Sequence, residues 1–119
     1  GLIPPDFLLK RTIDQMRRFV GDVFSRCDVL HAPTLPVPVP RLAEVDVGGG
    51  ADMWAMLAKL VHNTAPFNYL GLPAIAVPAG LTANGLPASA QLAARPFAEG
   101  LLLRVAAAHE RAFQASGST

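Results

Sequence analysis

Long segments with helical apolar spacing alternate along the chain with short apolar runs. Between residues 5 and 26, apolar positions recur at steps of three and four, which is the spacing of one helix face. The short runs are bounded by proline, glycine or turn residues, which is typical of strands. The pattern predicts the order α-β-α-β-β-α, with helices at 5–26, 51–63 and 97–115 and strands at 28–32, 74–78 and 88–93.

Turn residues indicate how these elements connect. Asn84-Gly85 is a strong turn dipeptide, so the last two strands are predicted to pair as an antiparallel hairpin. The apolar run 74–78 has no polar interruption, which predicts a strand buried on both faces. We therefore expect an α/β fold, a small mixed sheet flanked by helices, in one domain over residues 1–119. Four prolines in 33–40 predict an extended segment, and the glycine triplet after it predicts a mobile loop within about 34–50.

The stretch NTAPFNYLGLPAIAVPAG, residues 63–80, combines an apolar core segment with repeated proline and glycine. Asn63 or Thr64 is suited to cap a short helical turn that carries Pro66 near its start. Gly71 permits the reversal that ends this turn. We expect the apolar side chains of the turn to anchor it in the core: Phe67, Tyr69 and Leu70.

Composition suggests either that the chain hides much of its surface against something else or that it is cut from a larger fold. Hydrophobic residues make up 51% of the chain and charged residues 16%, against about 25% charged in ordinary soluble domains. A small domain has much surface for its volume and should need more polar residues. The apolar content excludes disorder, and no apolar run approaches the ~20 residues of a membrane span.

Charge and cysteine content exclude several classes of partner. The net charge is +1, and the cations of the first helix are interleaved with aspartates, which indicates a solvated face and no nucleic-acid site. The single cysteine, Cys27, excludes an internal disulfide and a cysteine-based metal cluster. The histidines lack metal-ligand spacing, so we expect no metal and no cofactor. The start lacks a leader pattern, so we expect a cytoplasmic protein.

No catalytic set is visible in these residues. Neither Ser25 nor Ser89 lies in a G-x-S-x-G turn, and no serine has a lysine or histidine at an activating spacing. We therefore predict no catalytic residue within the chain, and whether it is an enzyme by itself stays open at this point.

Several linked motifs resemble the C-terminal part of amidase signature enzymes, in that family's order. They cover nearly the whole chain: Asp28-Val29-Leu30, Pro33-Thr34, Thr64 to Asn68, Gly71-Leu72-Pro73-Ala74, Val77-Pro78-Ala79-Gly80, Gly85-Leu86-Pro87, Gln91, Arg95-Pro96-Phe97, Glu99 and Glu110. The resemblance implies hydrolysis of a carboxamide C–N bond through an acyl-enzyme on a serine. In that family a second serine, on a cis peptide bond, and a lysine activate the nucleophile. The segments that supply these groups are absent here.

The resemblance implies a C-terminal segment that supports the fold and forms part of the substrate pocket, but is inactive alone. Its partner is then the N-terminal catalytic part of the same protein. Capping and packing are the alternative for the residues predicted to contact substrate, which are Trp54, Asn63, Thr64, Phe67 and Asn68. The alternative for the chain is a self-contained α/β interaction module without enzymatic activity. We also expect a homo-oligomer, formed through the sheet edge or helix 5–26, and no nucleic-acid or membrane partner.

Overall fold

The computed structural model describes residues 5–45 and 51–117, which form five helices and a three-stranded sheet. The α/β class is confirmed. Two short helices are present besides the predicted order, and the second of them is the helical turn predicted within residues 63–71. The elements are α1 (Pro5–Arg26), β1 (Val29–Pro33), α2 (Leu42–Val45), α3 (Ala51–Val61), α4 (Ala65–Leu70), β2 (Ala74–Leu81), β3 (Pro87–Ala94) and α5 (Glu99–Ala115).

The sheet has the strand order β1-β3-β2, so the last strand in sequence lies in the middle. Both pairs are antiparallel, with Leu30 opposite Ala93 and Val77 opposite Ala90. The predicted hairpin of β2 and β3 is confirmed. The expected mixed sheet is not found among the described strands, because β1 also runs antiparallel to β3.

The core lies between one face of this sheet and α5. Its buried members come from β2, β3 and α5 and are Val77, Ala90, Leu92, Ala94 and Leu102. Strand β2 contributes Ile75 and Val77 to this side, whereas Ala74 and Ala76 on its other side are exposed. The prediction that this strand is buried on both faces is therefore wrong for the described chain, which places α5 on one face only.

Helix α1 begins and ends where the sequence predicts, but its apolar face is mostly uncovered. Pro5 opens the helix and Asp6 lies in its first turn, where a negative charge suits the helix dipole. Phe24 is its buried residue, while Leu9 is 58% and Ile13 37% exposed. Amphipathic spacing identified the helix correctly, yet no other described element packs along that face.

The C-terminal end of α1 is fastened to the sheet by Arg95, which follows β3. Its Nη1 donates to Asp28 Oδ1 at 2.9 Å. Its Nη2 donates to the carbonyl of Phe24, and to that of Cys27 at 3.3 Å. The guanidinium also lies 5.5 Å from the centroid of the Phe24 ring. The Arg95 guanidinium therefore holds the end of the helix through an ion pair, through hydrogen bonds and through its contact with an aromatic ring.

Helix α4 ends as predicted, at a glycine in the left-handed region. Gly71 has φ 70°, its N–H donates to the carbonyl of Asn68, and the N–H of Leu72 donates to that of Phe67. These two bonds form a Schellman motif, which satisfies the last carbonyls of the helix. Phe67 is half-buried, but Tyr69 is 68% exposed, so the prediction that Tyr69 anchors the turn in the core is wrong.

The segment after β1 is only partly the loop that the sequence predicts. Residues 34–41 contain no helix or strand, and the short helix α2 follows at Leu42–Val45. Leucine, alanine and glutamate favour helix, which accounts for this single turn. The remainder of the predicted mobile loop, residues 46–50, lies outside the described residues.

The chain is extended and flat for its length. Its Cα radius of gyration is 17.8 Å, whereas about 13.5 Å is expected for a compact domain of this size. The principal extents are 61, 42 and 18 Å. Within the described helices, none combines the length and hydropathy that crossing a bilayer requires.

Candidate functional site

The predicted substrate-contacting residues lie around the corner where α3 is followed by α4. Trp54 belongs to α3, Phe67 and Asn68 belong to α4, and Asn63 and Thr64 connect the two helices. The structure divides these residues between two surroundings. Asn68 lines an open groove between the two helices, whereas Asn63 faces the sheet.

The groove between α3 and α4 has a volume of about 870 Å³ and a mainly apolar lining. Its lining residues are Ala58, Val61, His62, Ala65, Pro66, Asn68 and Tyr69. Trp54 precedes Ala58 by one helical turn and so lies on the same face of α3. Its side chain is 67% exposed, which leaves an aromatic surface beside the groove.

The other side of the corner is held by hydrogen bonds from two amide side chains. Gln91 Nε2 donates to the carbonyl of Asn63 at 2.7 Å and to that of Pro33 at 3.2 Å. Asn63 Nδ2 donates to the same carbonyl of Pro33, also at 3.2 Å. We call these three bonds the Gln91 clamp. Asn63 is thus placed as a structural residue that joins the corner to the sheet.

Thr64 occupies the N-cap position of α4, as the sequence predicts, but its side chain does not cap the helix. Its Oγ1 donates back to the carbonyl of Val61 at 3.3 Å, and its N–H donates to the same carbonyl at 3.1 Å. The Thr64 side chain therefore closes the end of α3. Phe67 is half-buried.

Sequence reasoning identified Gln91 only as a motif position and missed its role. Its side chain is 4% exposed in a strand that otherwise contains proline, alanine, serine and leucine. A signal was present: a single amide within an apolar, central strand must find partners when it is buried. The register adds that Gln91 lies opposite Ala32 of β1 and Ala76 of β2.

Thr34 is a second polar group that the structure places beside this clamp. Its Oγ1 is buried and has no hydrogen-bond partner among the described residues, although its N–H donates to the carbonyl of Ser89 at 3.2 Å. A buried hydroxyl without a partner costs about 1–3 kcal/mol. Thr34, which follows β1, therefore has a backbone N–H that is hydrogen-bonded and a side-chain hydroxyl that is not.

Ser25 and His109 also bond to backbone carbonyls. Ser25 Oγ donates to the carbonyl of Asp22 at 2.6 Å, within α1. His109 Nε2 lies 2.7 Å from the carbonyl of Pro78 and its ring stacks on Phe113. Within residues 5–45 and 51–117, no three side chains of the metal-ligating types come together.

Comparisons with known proteins identify the family of this chain. Residues 8–103 match the family model described as Amidase. The chain is 39% identical over 97 residues to a fatty acid amide hydrolase of Medicago truncatula, covering 82% of this chain and 16% of that protein. It is 43% identical over 88 residues to a glutamyl-tRNA(Gln) amidotransferase polypeptide of Myxococcus xanthus, covering 74% and 17%.

A solved structure carries the same arrangement. It is that of 6-aminohexanoate cyclic dimer hydrolase complexed with substrate, and it matches with a TM-score of 0.61 at 33% identity. The match covers 79% of this chain and 22% of that one. The chain thus spans about a sixth to a fifth of the length of the relatives it matches. With the family model matched over most of its residues, the chain belongs to the amidase family.

Proposed function

We propose that this chain acts as the C-terminal segment of an amidase-type hydrolase that cleaves carboxamide C–N bonds. It supports the fold and forms one wall of the substrate pocket, and it is inactive alone. The nucleophilic serine, its serine partner and the lysine then come from the N-terminal catalytic part of the same protein. The relatives' names support this reaction class, since they describe an amide hydrolase and an amidotransferase.

The observation that carries the proposal is the surface that the chain leaves uncovered. Its accessible surface is 8614 Å², whereas a compact protein of 12.5 kDa exposes about 6,200 Å². The excess of about 2,400 Å² is as large as an obligate protein interface. Large apolar side chains form part of this surface, among them Phe7, Phe19, Trp54, Tyr69 and Phe97.

The groove between α3 and α4 supports the assignment of a pocket wall. Ligand pockets are mainly apolar with a few polar groups that fix orientation. Asn68 and His62 are the amide and imidazole among the lining residues, and the remainder presents alanine, valine, proline and tyrosine. We propose that the apolar part of an amide substrate lies along this groove and that Asn68 binds its polar end.

The test compares the 119-residue chain with an amidase-length protein that contains it, on a panel of aliphatic and aromatic amides. The release of ammonia or amine is the readout. We expect turnover by the longer protein only, and Asn68→Ala in that protein should raise KM, whereas Arg111→Ala on the exposed side of α5 should not. Turnover by the short chain, blocked by a serine-acylating reagent, overturns the proposal; so does an inactive amidase-length protein.

A further inference from the structure

The central strand buries an amide side chain, Gln91, whose presence apolar packing does not explain. Gln91 is 4% exposed and lies between β1 and β2 on the central strand of the sheet. Burying an amide is unfavourable unless its hydrogen-bonding groups are satisfied. An apolar residue of similar size would fill this position without that requirement, so the amide has a role in binding something specific.

What it binds is two backbone carbonyls from two separate segments. The carbonyl of Pro33 ends β1, and the carbonyl of Asn63 lies two residues before the start of α4. Carbonyl oxygens only accept hydrogen bonds, so the amide nitrogen of Gln91 must face them, and its two N–H groups match the two acceptors. Asn63 Nδ2 donates to the carbonyl of Pro33 and closes the clamp into a ring of three bonds.

The clamp fixes one end of the corner, and a separate bond fixes the other. After α4, the carbonyl of Pro73 accepts from the N–H of Ala94 at 3.1 Å. The short helix is therefore tied to β3 just before it begins and again just after it ends. Of these two ties, only the first depends on a side chain, and that side chain is Gln91.

We propose that Gln91 is a positioning residue, which sets where α4 and its side chains lie relative to the sheet. It touches no substrate; it acts through the carbonyl of Asn63 on the helix that carries Phe67 and Asn68. That α4 lines a substrate pocket rests on the proposed function, whereas the positioning of α4 by Gln91 does not. Because β3 is the central strand, the clamp joins the corner to the strand that is hydrogen-bonded on both sides.

The first experiment uses hydrogen exchange of the 119-residue chain, followed by mass spectrometry. Gln91→Met keeps the volume and removes both donors, and Ser89→Ala, an exposed side chain on the same strand, is the matched control. We expect amides 64–72 to exchange about 5- to 150-fold faster in Gln91→Met, which is the range for a buried group that loses its partner. Amides of the β2–β3 hairpin and of α5 should keep their rates, as should the whole control protein.

A second variant keeps the proposal decidable if Gln91→Met does not fold. Asn63→Ala removes one donor of the clamp but leaves the backbone carbonyl that Gln91 binds, so we expect a smaller acceleration confined to the same amides. Equal acceleration in the hairpin and in α4 overturns the proposal, because Gln91 is then a general core residue. Unchanged exchange at 64–72 overturns it as well.

The third measurement places Gln91→Met in the amidase-length protein and determines KM and kcat on an amide. A displaced α4 should raise KM several-fold with a smaller change in kcat. If the unaltered amidase-length protein shows no amide turnover, the proposed function fails, and the exchange rates alone decide whether Gln91 positions α4. If Gln91→Met accelerates exchange at 64–72 but leaves both KM and kcat unchanged, the proposal that α4 lines the substrate pocket is overturned.

Discussion

Arg95 gives the sharpest stability prediction, because its side chain joins the C-terminal end of α1 to the sheet. Replacing it with alanine removes three interactions at once. The ion pair with Asp28 joins side chains that are 45% and 78% exposed, so it contributes at most about 1 kcal/mol. The guanidinium over the Phe24 ring contributes about 0.5–1 kcal/mol. The donors to the carbonyls of Phe24 and Cys27, at the C-terminal end of α1, add about 0.5–1 kcal/mol through the helix dipole.

Together these terms predict that Arg95→Ala lowers the free energy of unfolding by about 2 kcal/mol. In urea this corresponds to a midpoint roughly 1 M lower, since small proteins change by about 1–3 kcal/mol per molar urea. Circular dichroism at 222 nm follows the transition, with Arg104→Ala on the exposed side of α5 as the matched control. The control should shift the unfolding free energy by less than about 0.5 kcal/mol.

Two further variants separate the causes. Asp28→Asn removes only the ion pair and should cost about 0.5 kcal/mol, with an effect that disappears in high salt. Arg95→Lys keeps the charge but loses the planar fork and the stacking on Phe24, so it should recover less than half of the loss. A lysine variant as stable as the original protein refutes the reasoning, because charge alone then suffices. An alanine variant no different from Arg104→Ala refutes it too.

Other predictions follow from the same structure. Gly71→Ala should lower the unfolding free energy by about 1 kcal/mol, because alanine is strained at a φ of 70°. The added Cβ meets no atom within 4 Å, so no packing offsets this strain, and the urea midpoint measures the loss. Phe97→Gly should raise the midpoint, since Phe97 has φ 65° and is 93% exposed, so glycine relieves strain and loses little packing. Trp54, the single tryptophan, should emit as a solvated indole and be quenched by acrylamide; a shielded spectrum in dilute solution contradicts the exposed α3 face. The isolated chain should self-associate in light scattering, and Ile13→Lys should weaken that association; a monomer at high concentration opposes it.

The features that the sequence predicted well are those with local causes. The apolar spacing of helix α1 and the residues that start it lie in one continuous segment. Its bounds can therefore be predicted from residues close together in the sequence. Gly71 and Asn84-Gly85 mark reversals because only certain residues adopt the required backbone angles, and these positions need no knowledge of the rest of the fold. The short helix α4 was predicted for the same reason.

The features that the sequence did not predict depend on partners distant along the chain. The pairing of β1 with β3 brings Leu30 beside Ala93, and no pattern within either strand encodes that register. Arg95 reaches Asp28 across 67 positions, and Gln91 reaches Pro33 across 58. A side chain's type states that it needs a partner, but only the fold supplies which one. Gln91 was therefore visible as a motif position and invisible as a clamp.

The burial predictions failed in one consistent direction, and this direction is informative. Ala74 and Ala76 of β2 and Tyr69 of α4 were all expected inside and are all exposed. A hydrophobic pattern reports that a face is covered in the working protein, but not whether the cover lies in the same segment. On the proposed function, the catalytic part covers these faces, and their exposure here has the same origin as the excess surface. This common cause can be tested in the amidase-length protein. There Trp54 should be shielded from solvent. Ile13→Lys should lower the stability of the amidase-length protein but leave the stability of the isolated chain unchanged.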